Sequence, residues 1–99
     1  MFIDMAEIRF TWDPKKDRIN QRKHGIAFSE AKTVFYDENA LLISDPDHSD
    51  DEERFILIGL SSSFRLLLVC HCYHEEAEVI RIFSARKATS HEGRSYPHG

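Results

Sequence analysis

Glycine and proline are scarce in this sequence, four and three in 99 residues, and cysteine occurs only twice. So little of the first two excludes collagen-like and low-complexity linker chains. Gly25, Gly59, Gly93 and Gly99 stand singly, so there is no glycine-rich loop to cradle a nucleotide phosphate. There is also no Gly-x-Ser-x-Gly elbow for a hydrolytic serine and no Cys-x-x-Cys pair for zinc. Cys70 and Cys72 lie two apart in an extended run, which would set their Cα atoms ~6.5–7 Å apart with parallel side chains, a poor geometry for a disulfide. The longest apolar run, Leu66–Cys70, falls far short of the ~20 residues a membrane helix needs. The opening MFIDMAEIRF carries acids where a signal peptide carries bases, so a reducing, cytoplasmic setting is the expectation. What is present fits one globular domain over residues 1–99: 41% hydrophobic and 30% charged.

Positive charge is also in deficit, since the net charge is −4. Taken whole, this argues against a polyanionic partner. Taken in segments it does not, because residues 1–25 sum to +2, residues 26–60 to −7 and residues 61–99 to +1. The acidity concentrates in DPDHSDDEE at Asp45–Glu53, and both ends of the chain are mildly basic.

Hydrophobic periodicity gives the element order. Ile8, Phe10 and Trp12 alternate with Glu7, Arg9 and Thr11, the pattern of a half-buried strand. Asp13-Pro14 reads as an N-cap followed by proline at the first helical position, predicting a helix over Pro14–His24 that stops at Gly25. Ile19 is its only large aliphatic residue, and Lys16, Asn20 and Lys23 form one polar, basic stripe. A second helix capped by Ser29 should end near Tyr36, with Phe28, Ala31, Val34 and Phe35 on its apolar face. Strands follow at Ala40–Ser44, Arg54–Leu60, Phe64–Cys72 and Val79–Ser84, then a weak helix after Ala85. The fold class this implies is α+β with two layers: an N-terminal strand and two helices packed on an antiparallel meander.

Two clusters offer metal-binding chemistry. Cys70, Cys72 and His74 share a strand face, but ligands two apart on a flat strand do not close a tetrahedral site. The Asp45–Glu53 loop is rich in oxygen ligands, yet such runs are more often solvated loops. No metal or cofactor is expected. The arginines say more. Arg65, Arg81 and Arg86 fall on or just after strands bound for a core, where each must pair, snorkel or face a cleft. Glu53 or Glu78 offers a pairing partner for any one of them. Together with Lys16 and Lys23 they suggest a cationic cleft suited to phosphate.

Several segments then resemble the BrnT family of bacterial toxins. They are Phe10-Thr11-Trp12-Asp13-Pro14, Asn20, Lys23-His24-Gly25-Ile26-Ala27-Phe28, Glu30-Ala31, Val34-Phe35 and Asp37. Further on come Glu52-Glu53-Arg54, Ile58-Gly59-Leu60-Ser61, Arg81-Ile82-Phe83-Ser84-Ala85-Arg86, Lys87-Ala88 and Tyr96. The resemblance covers about residues 8–96. It implies a RelE-like fold and a ribonuclease that arrests growth as the toxin of a type II toxin–antitoxin pair. It also implies a BrnA-like antitoxin, with operator DNA contacted through that antitoxin. Cleaving RNA without metal needs a base for the 2′-hydroxyl, an acid for the leaving 5′-oxygen and cations for the phosphorane. By type and position, His24 or Glu53 would serve as acid or base. Arg65, Arg81 and Arg86 would hold the phosphate, and Lys16, Lys23 and Tyr96 would contact RNA. Two other functions remain open: a catalytically inactive toxin fold that only binds its antitoxin, and a metal-dependent nuclease using the acidic loop.

Overall fold

The computed structural model describes residues 8–45 and 53–97. Of the acidic stretch at Asp45–Glu53, only its two end residues lie within that range. The elements run β1 (Arg9–Thr11), α1 (Pro14–His24), α2 (Phe28–Ala31) continued by a 3-10 helix (Lys32–Tyr36), then β2 (Leu41–Ser44), β3 (Phe55–Leu60), β4 (Leu66–His74), β5 (Val79–Lys87) and α3 (Ser90–Gly93).

Local chemistry sets the limits of α1. The Asp13 side chain accepts from Lys15 N at 2.9 Å, Pro14 occupies the first helical position, and Gly25 ends the helix in the left-handed region at φ 71°. The second helix differs from expectation at its start. It begins at Phe28, one residue before Ser29, and Ala27 supplies no side-chain cap. The cap comes instead from α1, because Asp17 Oδ1 accepts from Phe28 N at 2.9 Å.

Strands β2 to β5 form the expected antiparallel meander, in the order β1-β5-β4-β3-β2. The N-terminal strand departs from expectation. It joins the sheet rather than packing on it, pairing in parallel with β5 through Arg9↔Val79 and Thr11↔Arg81. A parallel neighbour needs a crossover, and the helices between β1 and the meander allow it. One sheet face meets the helices: Leu57, Leu67, Val69, Ile80, Ile82 and Ala85 pack with Ile26, Phe28, Ala31 and Val34. Gly59 keeps this layer close, since a Cβ there would sit 2.8 Å from Val34 Cγ1 and 2.9 Å from the Ala40 Cβ.

β5 is longer than its expected end at Ser84 because of a bulge. Cys70 pairs with Ser84 but His71 pairs with Ile82, which leaves Phe83 as an extra residue. The alternation shifts there, so Ala85 joins Ile80 and Ile82 on the core face. Beyond Arg81, β5 has no strand partner on its β1 side among the described residues. Helix α1 covers that edge. Asn20, 5% exposed, donates from Nδ2 to Ala85 O and Ile26 O, both at 2.8 Å, and accepts from Ala85 N at 3.1 Å. Its amide thus completes the ladder as a neighbouring strand would. The lone aliphatic residue of α1, Ile19, is 57% exposed. The docked face of α1 is therefore the one bearing Asp17, Asn20 and His24, while Lys16 and Lys23 of the polar stripe stay exposed.

Candidate functional site

The sheet face away from the core carries Arg81 and Arg86, which alternate with the core-facing Ile80, Ile82 and Ala85. Arg54 directly precedes Phe55, whose ladder partner is His71. Continuing that register brings Arg54 alongside Cys72, and Arg81 flanks Cys72 from the other side. The two arginine backbones are then two strand spacings apart, about 10 Å. The bulged Phe83 lies among them. The Arg54 guanidinium carbon is 4.2 Å from the Phe83 ring centre, and Lys16 Nζ approaches the same centre to 5.4 Å. Sharing one ring holds the two cations no more than about 10 Å apart, comparable to the ~8 Å Debye length at physiological salt. Among the described residues, Arg54 Nε is buried with no hydrogen-bond partner, and Arg81 makes a long 3.5 Å contact from Nη1 to Thr11 Oγ1. Among the described residues, none of Lys16, Arg54 and Arg81 is in a carboxylate salt bridge. Glu53 is exposed and directly precedes Arg54. This cluster has the charge and spacing to take a phosphodiester.

The other nominated residues lie elsewhere or are already engaged. Arg86 is five residues beyond Arg81, about 16 Å along the strand. It is held in a two-point pair by Glu92, at 2.8 and 2.7 Å. That guanidinium pulls the Glu92 carboxyl down to about 2. Arg65 lies toward the helix layer, where Nε donates to Glu30 Oε2 at 2.9 Å, Nη2 meets Glu30 Oε1, and Gly25 O accepts at 3.4 Å. The Arg65 hydrogen bond holds the Glu30 carboxyl below its usual range. The partners anticipated for these arginines, Glu53 and Glu78, are thus replaced by Glu30 and Glu92. His24 is half-buried at the last turn of α1 and Lys23 is exposed beside it. They lie three and four residues beyond Asn20, about one turn, and His24 is about 12 Å along the axis from Lys16.

Tyr96 departs most from expectation. It is 8% exposed, and its hydroxyl donates to Asp37 Oδ2 at 2.6 Å. That bond, with burial, pushes its pKa up to about 12. Burial raises the Asp37 pKa, but hydrogen bonds from Leu60 N, the Tyr96 hydroxyl and Asn39 N outweigh it and leave a net lowering. A buried phenol held by a carboxylate ties the C-terminal segment to the sheet and presents no ring face for stacking. Cys72 Sγ lies 3.4 Å from His74 Nε2. Among the described residues, no three His, Cys, Asp or Glu side chains converge on a metal position, and no helix is long and apolar enough to cross a membrane.

The residue missed by sequence reasoning is Arg54. It appears in sequence as the first residue of a strand, and its role depends on Phe83 lying under it. A weak signal exists: a charged residue between Glu53 and Phe55 whose i+2 and i+4 neighbours, Ile56 and Ile58, occupy the same far face.

A small α+β fold with one sheet face covered by helices is shared with a known ribonuclease toxin. The crystal structure of the Brucella abortus ribonuclease toxin BrnT matches with a TM-score of 0.62 at 22% identity, over 84% of this chain and 99% of that chain. The family described as the ribonuclease toxin BrnT of type II toxin–antitoxin systems matches residues 12–92. The chain belongs to that family. Curated proteins give no significant sequence match.

Proposed function

We propose that this BrnT-family toxin cleaves single-stranded RNA without a metal ion, on the far face of the sheet beside Phe83. The observation that carries this reading is the cluster of Lys16, Arg54 and Arg81, none of which is in a salt bridge among the described residues. Unneutralised guanidinium groups in a partly desolvated setting favour a phosphodiester and the extra charge it gains at the transition state. In the proposed step, a base takes the 2′-hydroxyl proton and the 2′-oxygen bonds to the adjacent phosphorus. The bond to the 5′-oxygen breaks, and an acid protonates that oxygen. Of the acid–base groups nominated from sequence, Glu53 adjoins the cluster and is the proposed base. His24 stands with the Arg65 group, so its proposed part is contact with the flanking RNA, shared with Lys23. Arg65 and Arg86 are proposed to support the site through their carboxylate pairs.

A BrnA-like antitoxin that blocks this face, and binds operator DNA in its own right, is the proposed partner. The proposed setting is the cytoplasm, with residues 1–99 acting as one unit. The test is RNA cleavage by the purified chain in the presence of a strong chelator. Cleavage that persists with chelator and disappears in Arg81→Ala and Arg54→Ala, both with wild-type melting temperature, supports the reading. Cleavage restored only by a divalent ion would transfer the chemistry to the acidic loop. An inert protein that still binds its antitoxin would make the chain an interaction module.

A further inference from the structure

The turn joining β3 to β4 presents an aromatic ring in an unfavourable way. Ser61 N donates to Arg65 O and Phe64 N to Ser61 O, both at 2.9 Å, closing a hairpin with Phe64 at the position usually given to glycine. Phe64 adopts the left-handed region there, at φ 59°, a conformation costly for a residue with a Cβ. The residue is 83% exposed, the highest value among the large apolar residues described. Glycine or asparagine would relieve the backbone and remove an apolar group from water, so the fold gains nothing from phenylalanine here.

The turn is also held firmly. The Ser61 hydroxyl donates to Glu30 Oε2 at 2.6 Å and accepts from Ser63 N at 3.2 Å and Arg65 N at 3.3 Å. Ser62 N donates to Thr33 Oγ1 at 2.8 Å. The backbone under Phe64 is therefore held in place while its ring projects into solvent, and strained positions that the surroundings enforce gather at functional sites.

We infer that Phe64 is a nucleobase-stacking residue that holds an unpaired base of the RNA away from the cleavage cluster. This rests on the reading of the chain as a ribonuclease. Three observations favour RNA over a protein partner. The ring follows three serines, and no neighbour in the turn adds apolar surface to make the patch that protein docking requires. The adjacent groove is lined by Thr33, Tyr36, Asp37, Leu60, Ser61 and Ser62, and the half-exposed Tyr36 ring offers a second aromatic face on which a base can stack. The nearby Arg65 is neutralised by Glu30, so the tip offers a stacking face rather than a phosphate contact. Stacking tolerates any base, because every base has a π-face. Along β4, Phe64 lies eight residues from Cys72, the neighbour of Arg81. That is about 27 Å, so one strand would pass several nucleotides between the two points.

The test is fluorescence-anisotropy binding and cleavage of a single-stranded oligoribonucleotide of about 12 nucleotides, with the same strand annealed to its complement as control. In Phe64→Gly, affinity for the single strand should fall about tenfold, with KM raised and kcat retained. The duplex should be unaffected and the melting temperature no lower than wild type. Phe64→Tyr should restore binding to within about twofold, because it keeps the ring. Unchanged single-strand affinity in Phe64→Gly would overturn the proposal, as would a Phe64→Tyr variant as weak as Phe64→Gly. Loss of complex with the cognate antitoxin, with RNA binding intact, would make the tip a protein contact and overturn it equally. If the wild type neither binds nor cleaves the single strand, it is the ribonuclease reading that fails.

Discussion

The arginines of this chain live in two different environments. Arg65 and Arg86 are each gripped by a carboxylate, Glu30 and Glu92, and each joins segments that would otherwise be loose: a hairpin to α2, and the end of β5 to α3. Arg54 and Arg81 lie on the sheet near an aromatic ring or a threonine, without such a carboxylate among the described residues. A guanidinium already balanced by two strong bonds has little left to offer a phosphate. One balanced only by a ring or a distant hydroxyl leaves its field directed outward. Arginines on neighbouring strands can thus divide into architecture and candidate function, and their carboxylates decide which.

The comparison breaks most completely if α1 is detached, because α1 delivers Lys16 to Phe83. Replacing Asn20 by alanine leaves Ala85 N–H, Ala85 O and Ile26 O without partners in a buried setting. At ~1–3 kcal/mol for each stranded group, Asn20→Ala should cost about 3 kcal/mol or more in urea unfolding. RNA binding should weaken along with stability. A loss under about 1 kcal/mol would mean that water replaces the amide at the sheet edge.

The next effect separates the two classes directly. Charge-assisted bonds are worth ~1.5–3 kcal/mol, so Arg81→Ala should lower RNA affinity about tenfold to hundredfold at unchanged melting temperature. It should also flatten the salt dependence by about 0.7 in log–log slope. Arg65→Ala should do the reverse, leaving Glu30 unpaired and lowering stability while RNA binding changes little. Equal losses of affinity in both variants would dissolve the distinction.

That distinction was only half legible in the sequence. Signals that act locally could be read directly: Asp13, Pro14 and Gly25 bound α1, and runs apolar on both faces mark β3 and β4 as interior strands of the sheet. Pairings set by tertiary contact could not be read. Arg65 and Glu30 are 35 residues apart, and nothing local distinguishes Glu30 from Glu53 or Glu78 as its partner. The docking face of α1 misleads for a similar reason. A helix with one aliphatic residue invites the inference that it docks through that residue, yet the open edge of β5 needs a donor and an acceptor, which Asn20 supplies. The Phe83 bulge moves residues between faces without any glycine or proline to mark it, which concealed the convergence of Arg54, Lys16 and Arg81.

A smaller change sharpens the comparison at Arg86. Thr89 and Glu92 form a reciprocal cap on α3, with Thr89 N donating to Glu92 Oε1 at 2.9 Å and Glu92 N to Thr89 Oγ1 at 3.2 Å. Thr89→Ala should therefore cost about 1 kcal/mol. Glu92→Gln keeps the shape but removes the charge that holds Arg86. It should lower stability by about as much as a lost cap and raise RNA affinity a few-fold, since the freed guanidinium shares a face with Arg81. No gain in affinity would leave Arg86 a purely structural residue.

The smallest expected effect is on acid stability, and it comes in two stages. His71 is 3% exposed, with Nδ1 3.0 Å from Val69 O and its ring edge-on to Phe35 at 4.8 Å. Burial pushes its pKa down, against the partial restoring effect of the Val69 carbonyl. The unfolded chain therefore takes up this proton first, at about pH 6.5. Its contribution is complete above that pH and is lost as pH falls toward the lower folded value. Glu92 acts in a separate window: with the folded carboxyl at about 2 against an ordinary 4.5, its contribution is present above pH 4.5 and lost as pH falls toward about 2. Melting temperatures followed downward from neutral pH should thus decline gently below 6.5 and more steeply below 4.5. His71→Phe should remove the first decline and spare the second, whereas Glu92→Gln should blunt the second and spare the first. If His71→Phe leaves the first decline in place, the His71 imidazole is merely a packed ring and its protonation does not carry the acid response.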